Sequence, residues 1–254
     1  MPRSIWNGTI SVGLAHVPIK LYSATESKTV SFHEVHLKDG ARLEHKRLCS
    51  KEGKEVPFKE VVKGFEVAPD EFVLLTKEEV AAAAGARGKV IEIEDFVPDD
   101  QIDPVFFEKT YYVGSRDDGD AYRVFHEALK QTARVGIGRF TFHNREYLAA
   151  VRPLDDVLAL HTMRFHDEVV RGDELEVERP AKGPSEQEVE MAARLVDSLY
   201  REFDPTDYED SYREAVLELI ERKAKGEAVE VEVEEPEEET SDLMAALQAS
   251  LKGS

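Results

Sequence analysis

The sequence is poor in the residues and motifs that several protein classes require. Its 254 residues include one cysteine, which excludes an internal disulfide framework and any zinc site built from several cysteines. The N-terminus has no apolar signal core, and no apolar run approaches the length of a membrane-spanning helix. A Walker loop, a dinucleotide-binding glycine pattern and a nucleophile elbow are all missing. We therefore expect a soluble, cytoplasmic protein without a membrane partner.

Acidic residues dominate the composition, but their excess lies near the C-terminus. The formal net charge is −20, yet residues 1–166 carry 23 basic and 26 acidic residues, whereas residues 167–254 carry 10 and 27. Two windows are locally basic: residues 36–54 hold six Lys or Arg against three acids, and residues 134–152 hold four Arg against one acid. Only charges within about 10 Å of a phosphate act on it strongly, so nucleic-acid binding remains compatible with this composition. The alternative is an ordinary solvated face.

The apolar pattern of the first two thirds predicts many short strands and few helices. Residues alternate as in half-buried strands over 6–14, 17–21, 61–75, 89–97, 106–113, 135–143, 147–152 and 157–165. Thr76 and Glu79 form a capping box for one short helix, and Asp120 is placed to cap a second helix that reaches Thr132. Many short strands with only two helices between them predict an α+β chain with a barrel or closed sheet.

Residues 36–54 break this pattern. Around residues 43–47 neither face of a possible strand is apolar, and a strand that is polar on both faces cannot cover a core. We therefore predict that this stretch projects from the barrel as a basic arm. A predicted turn at residues 143–146 places a further arginine, Arg145, at the tip of a hairpin.

Two amphipathic helices and an acidic segment follow. Ser185 and Glu188 form a capping box before a helix whose apolar face runs to Phe203, and a second helix is predicted near residues 211–225. Their apolar faces need a cover, which is either the chain's own barrel or a partner subunit. Residues 227–242 contain nine acids and no base, which is typical of a flexible linker.

The end of the chain has an apolar pattern of its own. With Asp242 as cap, a short helix would carry its apolar side chains on one side. These side chains are Leu243, Met244, Leu247 and Leu251. We interpret the segment as a docking peptide for another protein, and a frayed terminus is the alternative.

No catalytic or metal site stands out. Glu92, Glu94 and Asp95, with Asp99, Asp100 and Lys89 nearby, could mimic the magnesium site of a nuclease, although alternating acids on a strand are usually solvated. A zinc site is conceivable on paper, but its spacings match no standard pattern. Its ligands would be His33, His36, His45 and Cys49. We predict no catalytic residue, no metal and no cofactor.

Short blocks spread in order over nearly the whole chain carry a family resemblance. They are RSIW at 3–6, VPIKLY at 17–22, SFH at 31–33, HKRLC at 45–49, EVP at 55–57, VKGFE at 62–66, DP at 103–104, KTYY at 109–112, the stretch from Arg139-Phe140 through Arg145-Glu146 to Arg152-Pro153, and DLMAAL at 242–247. Together these blocks resemble the bacterial Ku proteins of non-homologous end joining.

The resemblance implies an architecture and a set of partners. It implies a Ku-type β-barrel core over residues 1–180 with a bridge arm at about 30–66, a C-terminal helical arm over 181–226, and an acidic linker with a short docking helix over 227–254. Two chains would form a ring-shaped homodimer threaded onto double-stranded DNA ends, in the cytoplasm and associated with the nucleoid. The C-terminal segment would recruit the ATP-dependent end-joining DNA ligase, ligase D, through Asp242, Leu243, Met244, Leu247 and Leu251.

Such a ring must contact phosphates rather than base edges, because it holds DNA of any sequence. Lys and Arg make those contacts. The leading candidates are Lys20, Lys46, Arg47, Arg139 and Arg145, followed by Arg42, Lys51 and Arg134. The prediction is a non-enzymatic DNA-end-binding protein; a metal-dependent nuclease and an adaptor that binds only protein are the alternatives.

Overall fold

The computed structural model describes residues 3–83, 89–117, 119–142, 145–172 and 183–227, together with Leu247 and Ser250. Its contacts divide the chain into two compact units, Met1–Ser27 with Glu34–Gly172, and Lys28–His33 with Asp173–Ser254. The strands, numbered in chain order, are β1 (Trp6–Val12), β2 (Ala15–Ser23), β3 (Lys63–Ala68), β4 (Glu71–Leu75), β5 (Val90–Pro98), β6 (Phe107–Ser115), β7 (Arg134–Phe142), β8 (Arg145–Leu154) and β9 (Val157–Met163). The helices are α1 (Lys77–Ala83), α2 (Asp120–Thr132), α3 (Glu186–Ser198) and α4 (Ser211–Ala224).

Seven of the strands close into a barrel in the order β1-β2-β6-β9-β8-β7-β5, which confirms the predicted barrel. Neighbouring strands are antiparallel except β1 and β5, which are parallel. Successive side chains of a strand point to opposite faces of the barrel wall. Ile19 and Leu21 on β2 are therefore buried in the core, whereas Lys20 between them lies on the outer face. Phe140 is fully buried at the centre of the aromatic contacts in this core.

Helix α2 packs on the barrel and contributes to its core. Tyr122 and Leu129 join the core cluster, and the Tyr122 hydroxyl donates to the Val113 carbonyl at 2.6 Å and accepts from the Leu158 amide at 2.7 Å. The prediction that Asp120 caps this helix is wrong by one residue. Gly119 is the N-cap, because the chain enters the helix at φ +83°, a conformation that favours glycine.

A second apolar cluster lies on the outer face of β7, β8 and β9. Val135, Ala150 and Met163 are its buried members, and side chains between residues 97 and 107 pack over them. Beside this cluster, His161 is buried and its ring contacts both the Arg152 guanidinium and the Thr110 hydroxyl. The segment after β5 is fastened onto the barrel wall by these apolar contacts and by Asp99, whose carboxylate accepts two hydrogen bonds from Arg152.

Strands β3 and β4 form a separate two-stranded sheet outside the barrel. The predicted strand-like stretch over 61–75 is thus a hairpin, which turns at Asp70 with φ +62°. The capping box of α1 is confirmed, since the Glu79 amide donates to the Thr76 hydroxyl at 3.1 Å and the Thr76 amide donates to the Glu79 carboxylate at 2.8 Å.

In the second unit, the capping box of α3 is also confirmed. The Glu188 amide donates to the Ser185 hydroxyl at 3.3 Å, and the Ser185 amide donates back to the Glu188 carboxylate at 2.6 Å. The helix ends at Ser198, so the predicted apolar face that continued to Phe203 is too long. Helix α4 begins with Asp210 as N-cap, whose carboxylate accepts from the Arg213 amide. Within the ranges given above, no helix is both long and apolar enough to cross a bilayer.

Candidate nucleic-acid interface

Two turns of the same construction carry basic residues on the arm between β2 and β3. In the first, the His36 amide donates to the Ala41 carbonyl at 2.8 Å, and the Gly40 amide donates to the His36 carbonyl at 2.8 Å. The second turn repeats both bonds with Cys49, Lys54 and Gly53 at 2.9 and 2.8 Å. The two glycines have φ of +70° and +65°, which other residues adopt only at a cost.

Lys38 and Lys51 occupy equivalent positions in these turns, each followed by an acid and the glycine. The sequence interpretation included Lys51 but missed Lys38. The repeated pattern Lys, acid, Gly at 38–40 and 51–53 is the signal that could have revealed both. The two turns present both lysines in the same local geometry.

The arm exposes its cations to solvent. Lys38, Arg42, Lys51 and Lys54 are all exposed. Within the described part of the chain, none of these four forms an ion pair. Their charges are therefore not offset by a contacting carboxylate there.

The other two predicted arm residues have partners. Lys46 Nζ lies 3.1 Å from Glu55 Oε2. The Arg47 guanidinium lies over the Phe58 ring at 5.3 Å, and Lys77 from α1 lies over the same ring at 5.1 Å. These cation–π contacts hold Arg47 near the base of the β3–β4 hairpin, where its charge still faces solvent.

Lys20 and Arg139 both lie on the outer face of the barrel. Lys20 on β2 stands opposite Asn7 and Gly114, and it is half-buried. Arg139 on β7 stands opposite Glu92, and its Nε lies 3.7 Å from Glu94 Oε1. That Nε is buried and has no hydrogen-bond partner within the described ranges, so the guanidinium retains an unused donor.

Arg145 and Arg134 lie elsewhere on the barrel. Arg145 is the first residue of β8 and alternates onto the same side as Tyr147, opposite to the side of Arg139. Its guanidinium covers the Tyr147 ring at 5.3 Å and binds the Glu168 carboxylate at 2.8 Å. Arg134 is exposed at the other end of the β7–β8 pair. Residues 143 and 144 of the predicted turn lie outside the described residues.

The structure therefore gathers some predicted cations and separates others. Arg42, Lys46, Arg47 and Lys51 share the arm. Lys20 and Arg139 share the outer barrel face, three strand spacings apart, whereas Arg145 faces the other side of the barrel wall. The basic window over 134–152 is consequently not one continuous strip.

The acids and histidines considered for metal sites have other surroundings. Glu94 lies beside Arg139, and Asp99 accepts two hydrogen bonds from Arg152 at 2.9 and 3.2 Å. Among the residues that the structure describes, no three His, Cys, Asp or Glu side chains converge into a set that could hold a metal ion. A cavity of about 750 Å³ beside the N-terminal segment, lined in part by Tyr111 and Tyr147, contains none of the predicted site residues.

The predicted ligase-docking residues fall almost entirely outside the described residues. Leu247 is the one member of the set that is described, and it has helical backbone conformation. Asp242, Leu243, Met244 and Leu251 lie outside the described ranges.

Comparisons with known proteins agree with one another. A family model for the Ku70/Ku80 beta-barrel domain matches residues 11–191. The chain is 44% identical to the non-homologous end joining protein Ku of Anaeromyxobacter sp. (strain K), over 99% of this chain and 86% of that protein. It is 35% identical to the protein of the same name from Archaeoglobus fulgidus, over 98% of both chains, and 34% identical to that from Bacillus subtilis, over 98% of this chain and 81% of that protein.

Proposed function

This chain belongs to the Ku β-barrel family, and we infer that it binds the ends of double-stranded DNA in the repair of double-strand breaks by non-homologous end joining. Family membership gives the class of function. The observation that carries it to this chain's own residues is the arm, where Lys38, Arg42, Lys51 and Lys54 are exposed and form no ion pair within the described ranges.

These cations suit DNA of any sequence. Lys and Arg on an arm and on an outer barrel face can contact phosphates, and phosphate contacts carry no sequence information. Each neutralised phosphate releases counterions, so the affinity should fall steeply as salt rises. The function needs no catalytic group, and we propose a binding protein rather than an enzyme.

We further propose that two copies of the chain form a ring-shaped homodimer. The β3–β4 hairpin supports this, because an isolated two-stranded hairpin is marginally stable in water and this one lies outside the barrel. Its large apolar side chains are exposed: Phe65 is 67% exposed, Phe72 52% and Leu74 66%. A surface of this kind needs a permanent cover.

A second copy is the simplest cover for that hairpin. It is made in equal amount, and a twofold interface buries the same apolar patch on both subunits. In the other unit, the exposed apolar side chains of α3 and the segment after it offer a second surface of the same kind, including Val196, Leu199 and Phe203. With a closed dimer around it, DNA would enter only at an end.

Recruitment of the ATP-dependent end-joining DNA ligase, ligase D, is proposed for the C-terminal segment. The support is the apolar pattern of Leu243, Met244, Leu247 and Leu251 behind nine acids. Binding of the purified ligase to the full chain and to a chain shortened after residue 227 tests this. Loss of binding on truncation is expected, and equal binding by both chains would overturn it.

The DNA proposal is tested by comparing linear duplex with covalently closed circular DNA of the same sequence in a salt titration without divalent metal. Strong binding to the linear form alone, weakening steeply with salt, is expected of a threaded ring. Equal binding to both forms would contradict the ring and indicate an open groove. No binding to either form would favour the adaptor function, and shortening of the DNA when magnesium is added would favour a nuclease.

A further inference from the structure

Three of the predicted DNA-contacting cations already have a carboxylate beside them. The pairs are Lys46 with Glu55 at 3.1 Å, Arg139 with Glu94 at 3.7 Å, and Arg145 with Glu168 at 2.8 Å. All six side chains are between 38% and 61% exposed, and all belong to the same compact unit. Each pair therefore has side-chain surface that a phosphate can approach, although the Nε of Arg139 itself is buried.

Other predicted cations lack such a partner. Arg42 and Lys51, on the same arm as Lys46, form no ion pair with any residue that the structure describes. The candidate interface thus combines two kinds of cation, which should differ in what a phosphate gains by binding to them. An unpaired cation exchanges only water and salt ions for the phosphate, whereas a paired cation must also give up or share its carboxylate.

The cost of that exchange is electrostatic. A phosphate that binds Lys46 competes with Glu55 for the ammonium, and the carboxylate that remains close by repels the phosphate. We propose that Glu55, Glu94 and Glu168 compete with DNA phosphates for Lys46, Arg139 and Arg145, and thereby lower the affinity of the interface for DNA. The inference rests on the proposed function, because it assumes that these three cations approach the DNA backbone.

The three carboxylates are held with different firmness. Glu168 also accepts a hydrogen bond from the Phe165 amide at 2.9 Å, and this bond, together with nearby Arg145, lowers the pKa of its carboxyl group. It therefore stays charged and stays in place when DNA arrives. Glu94 is more loosely associated, because 3.7 Å is too long for a hydrogen bond. Neutralising Glu168 should have the larger effect of the two.

Such competition would have a use for a ring on DNA. Contacts that depend only on phosphates allow a protein to move along the duplex. When a cation leaves one phosphate, its carboxylate can bind it again, and this lowers the free-energy cost of moving to the next phosphate. The three acids would then favour movement over tight binding at one position.

The experiment measures affinity for linear duplex in a salt titration with Glu55→Gln, Glu94→Gln and Glu168→Gln as single variants. Glutamine keeps the size of the side chain, and at residue 168 it keeps an acceptor for the Phe165 amide. Because exposed ion pairs are weak, each variant should bind about two- to fivefold more tightly. The slope of log affinity against log salt should steepen by up to about 0.9 for each pair removed.

Glu52→Gln is the matched control. Glu52 lies three residues before Glu55 on the same arm, and it has no ion pair among the described residues. The Glu52→Gln variant changes the net charge by the same amount without freeing a cation, so its gain in affinity for DNA should be clearly smaller. A double-mutant cycle adds Lys46→Ala. In the Lys46→Ala background, Glu55→Gln should no longer raise the affinity for DNA beyond the effect of the Glu52→Gln control.

Three results would contradict the competition proposal or the proposed function. Equal gains from Glu55→Gln and Glu52→Gln would overturn the proposal, because general charge alone would explain them. Weaker binding by the Gln variants would overturn it too, since the carboxylates would then position the cations for DNA. A wild-type chain that binds no DNA would instead remove the proposed function itself, a failure that is distinguishable from these two.

Discussion

At the scale of single residues, the surroundings of His161 set its charge state. It is buried on the outer barrel wall, where Nε2 accepts from Arg152 Nε at 3.0 Å and Nδ1 lies 2.9 Å from the Thr110 hydroxyl. This arrangement requires a neutral ring. Burial, assisted by the Arg152 charge, lowers the pKa of His161 from its ordinary value of 6.5 to about 4.

Stability should therefore fall in mildly acidic solution. Below pH 6.5 the unfolded chain takes up a proton at His161, whereas the folded chain does so only near pH 4, so the stabilisation is present above pH 6.5 and is lost as the pH falls towards 4. Between pH 7 and pH 5, protonation of this one residue in the unfolded chain should lower the free energy of unfolding by about 2 kcal/mol. Urea unfolding at both pH values measures the loss, and His161→Gln should lose less. Parallel pH profiles for the two chains would contradict the assignment.

Gly138 is a position where the barrel leaves no room for a side chain. A Cβ there would lie 2.1 Å from the Glu92 carbonyl oxygen and 2.9 Å from the Ile93 Cα, and both are backbone atoms of β5. We expect Gly138→Ala to lower the free energy of unfolding by more than about 2 kcal/mol, because the two strands must separate.

Gly172→Ala is the control for that substitution. Gly172 has open space around its Cβ position and no left-handed backbone, so its replacement should change stability by less than about 0.5 kcal/mol. Chemical denaturation of both variants provides the comparison. A Gly138→Ala chain as stable as the control would show that β5 and β7 can move apart at a lower cost than their close approach indicates.

At the scale of elements, Tyr122 fastens helix α2 to the barrel. Its hydroxyl is bound to the backbone of β6 through Val113 and to that of β9 through Leu158, at 2.6 and 2.7 Å. Both backbone groups are buried with it. One side chain thus satisfies a donor on one strand and an acceptor on another, which fixes the position of the helix against both.

Removing this hydroxyl should be costly although the ring remains. Tyr122→Phe leaves the Leu158 amide and the Val113 carbonyl without this buried partner, and we expect a loss of about 1–3 kcal/mol of unfolding free energy. Tyr112→Phe is the control, because Tyr112 is 43% exposed and its hydroxyl has no hydrogen bond among the described residues. Equal stabilities in thermal or urea unfolding would argue against the two bonds.

At the scale of the whole molecule, the exposed hairpin predicts the oligomeric state. Light scattering after size exclusion should give twice the chain mass of 28.7 kDa. Replacing Phe65 and Phe72 together by Asp should produce the single-chain mass while the barrel's circular dichroism is retained, because the hairpin is not part of the barrel. Linear-only DNA binding should be lost with the dimer.

Val124→Asp is the matched control for the hairpin variant. Val124 is 71% exposed on α2, so the same kind of charge is added away from the hairpin. This chain should keep the dimer mass. A wild-type chain that runs as a monomer at all concentrations would contradict the homodimer.

Local patterns in the sequence predicted the elements well. Alternating apolar residues located all seven barrel strands, and the capping boxes at Thr76 and Ser185 marked two helix starts. These signals succeed because they arise from neighbours in the chain: a strand alternates every two residues, and a cap bonds three residues ahead. Asp120 failed as a cap because Gly119 could adopt the left-handed entry that the helix uses.

The sequence by itself thus determined the elements, the barrel class, the family resemblance and the basic character of the arm. Only the tertiary structure decided the strand order, the parallel pairing of β1 with β5, and which cations have carboxylate partners. Glu94 and Arg139 are 45 residues apart, and Arg145 and Glu168 are 23 apart. No local pattern encodes such pairs, because their distance depends on how the whole barrel closes and on which face each strand presents.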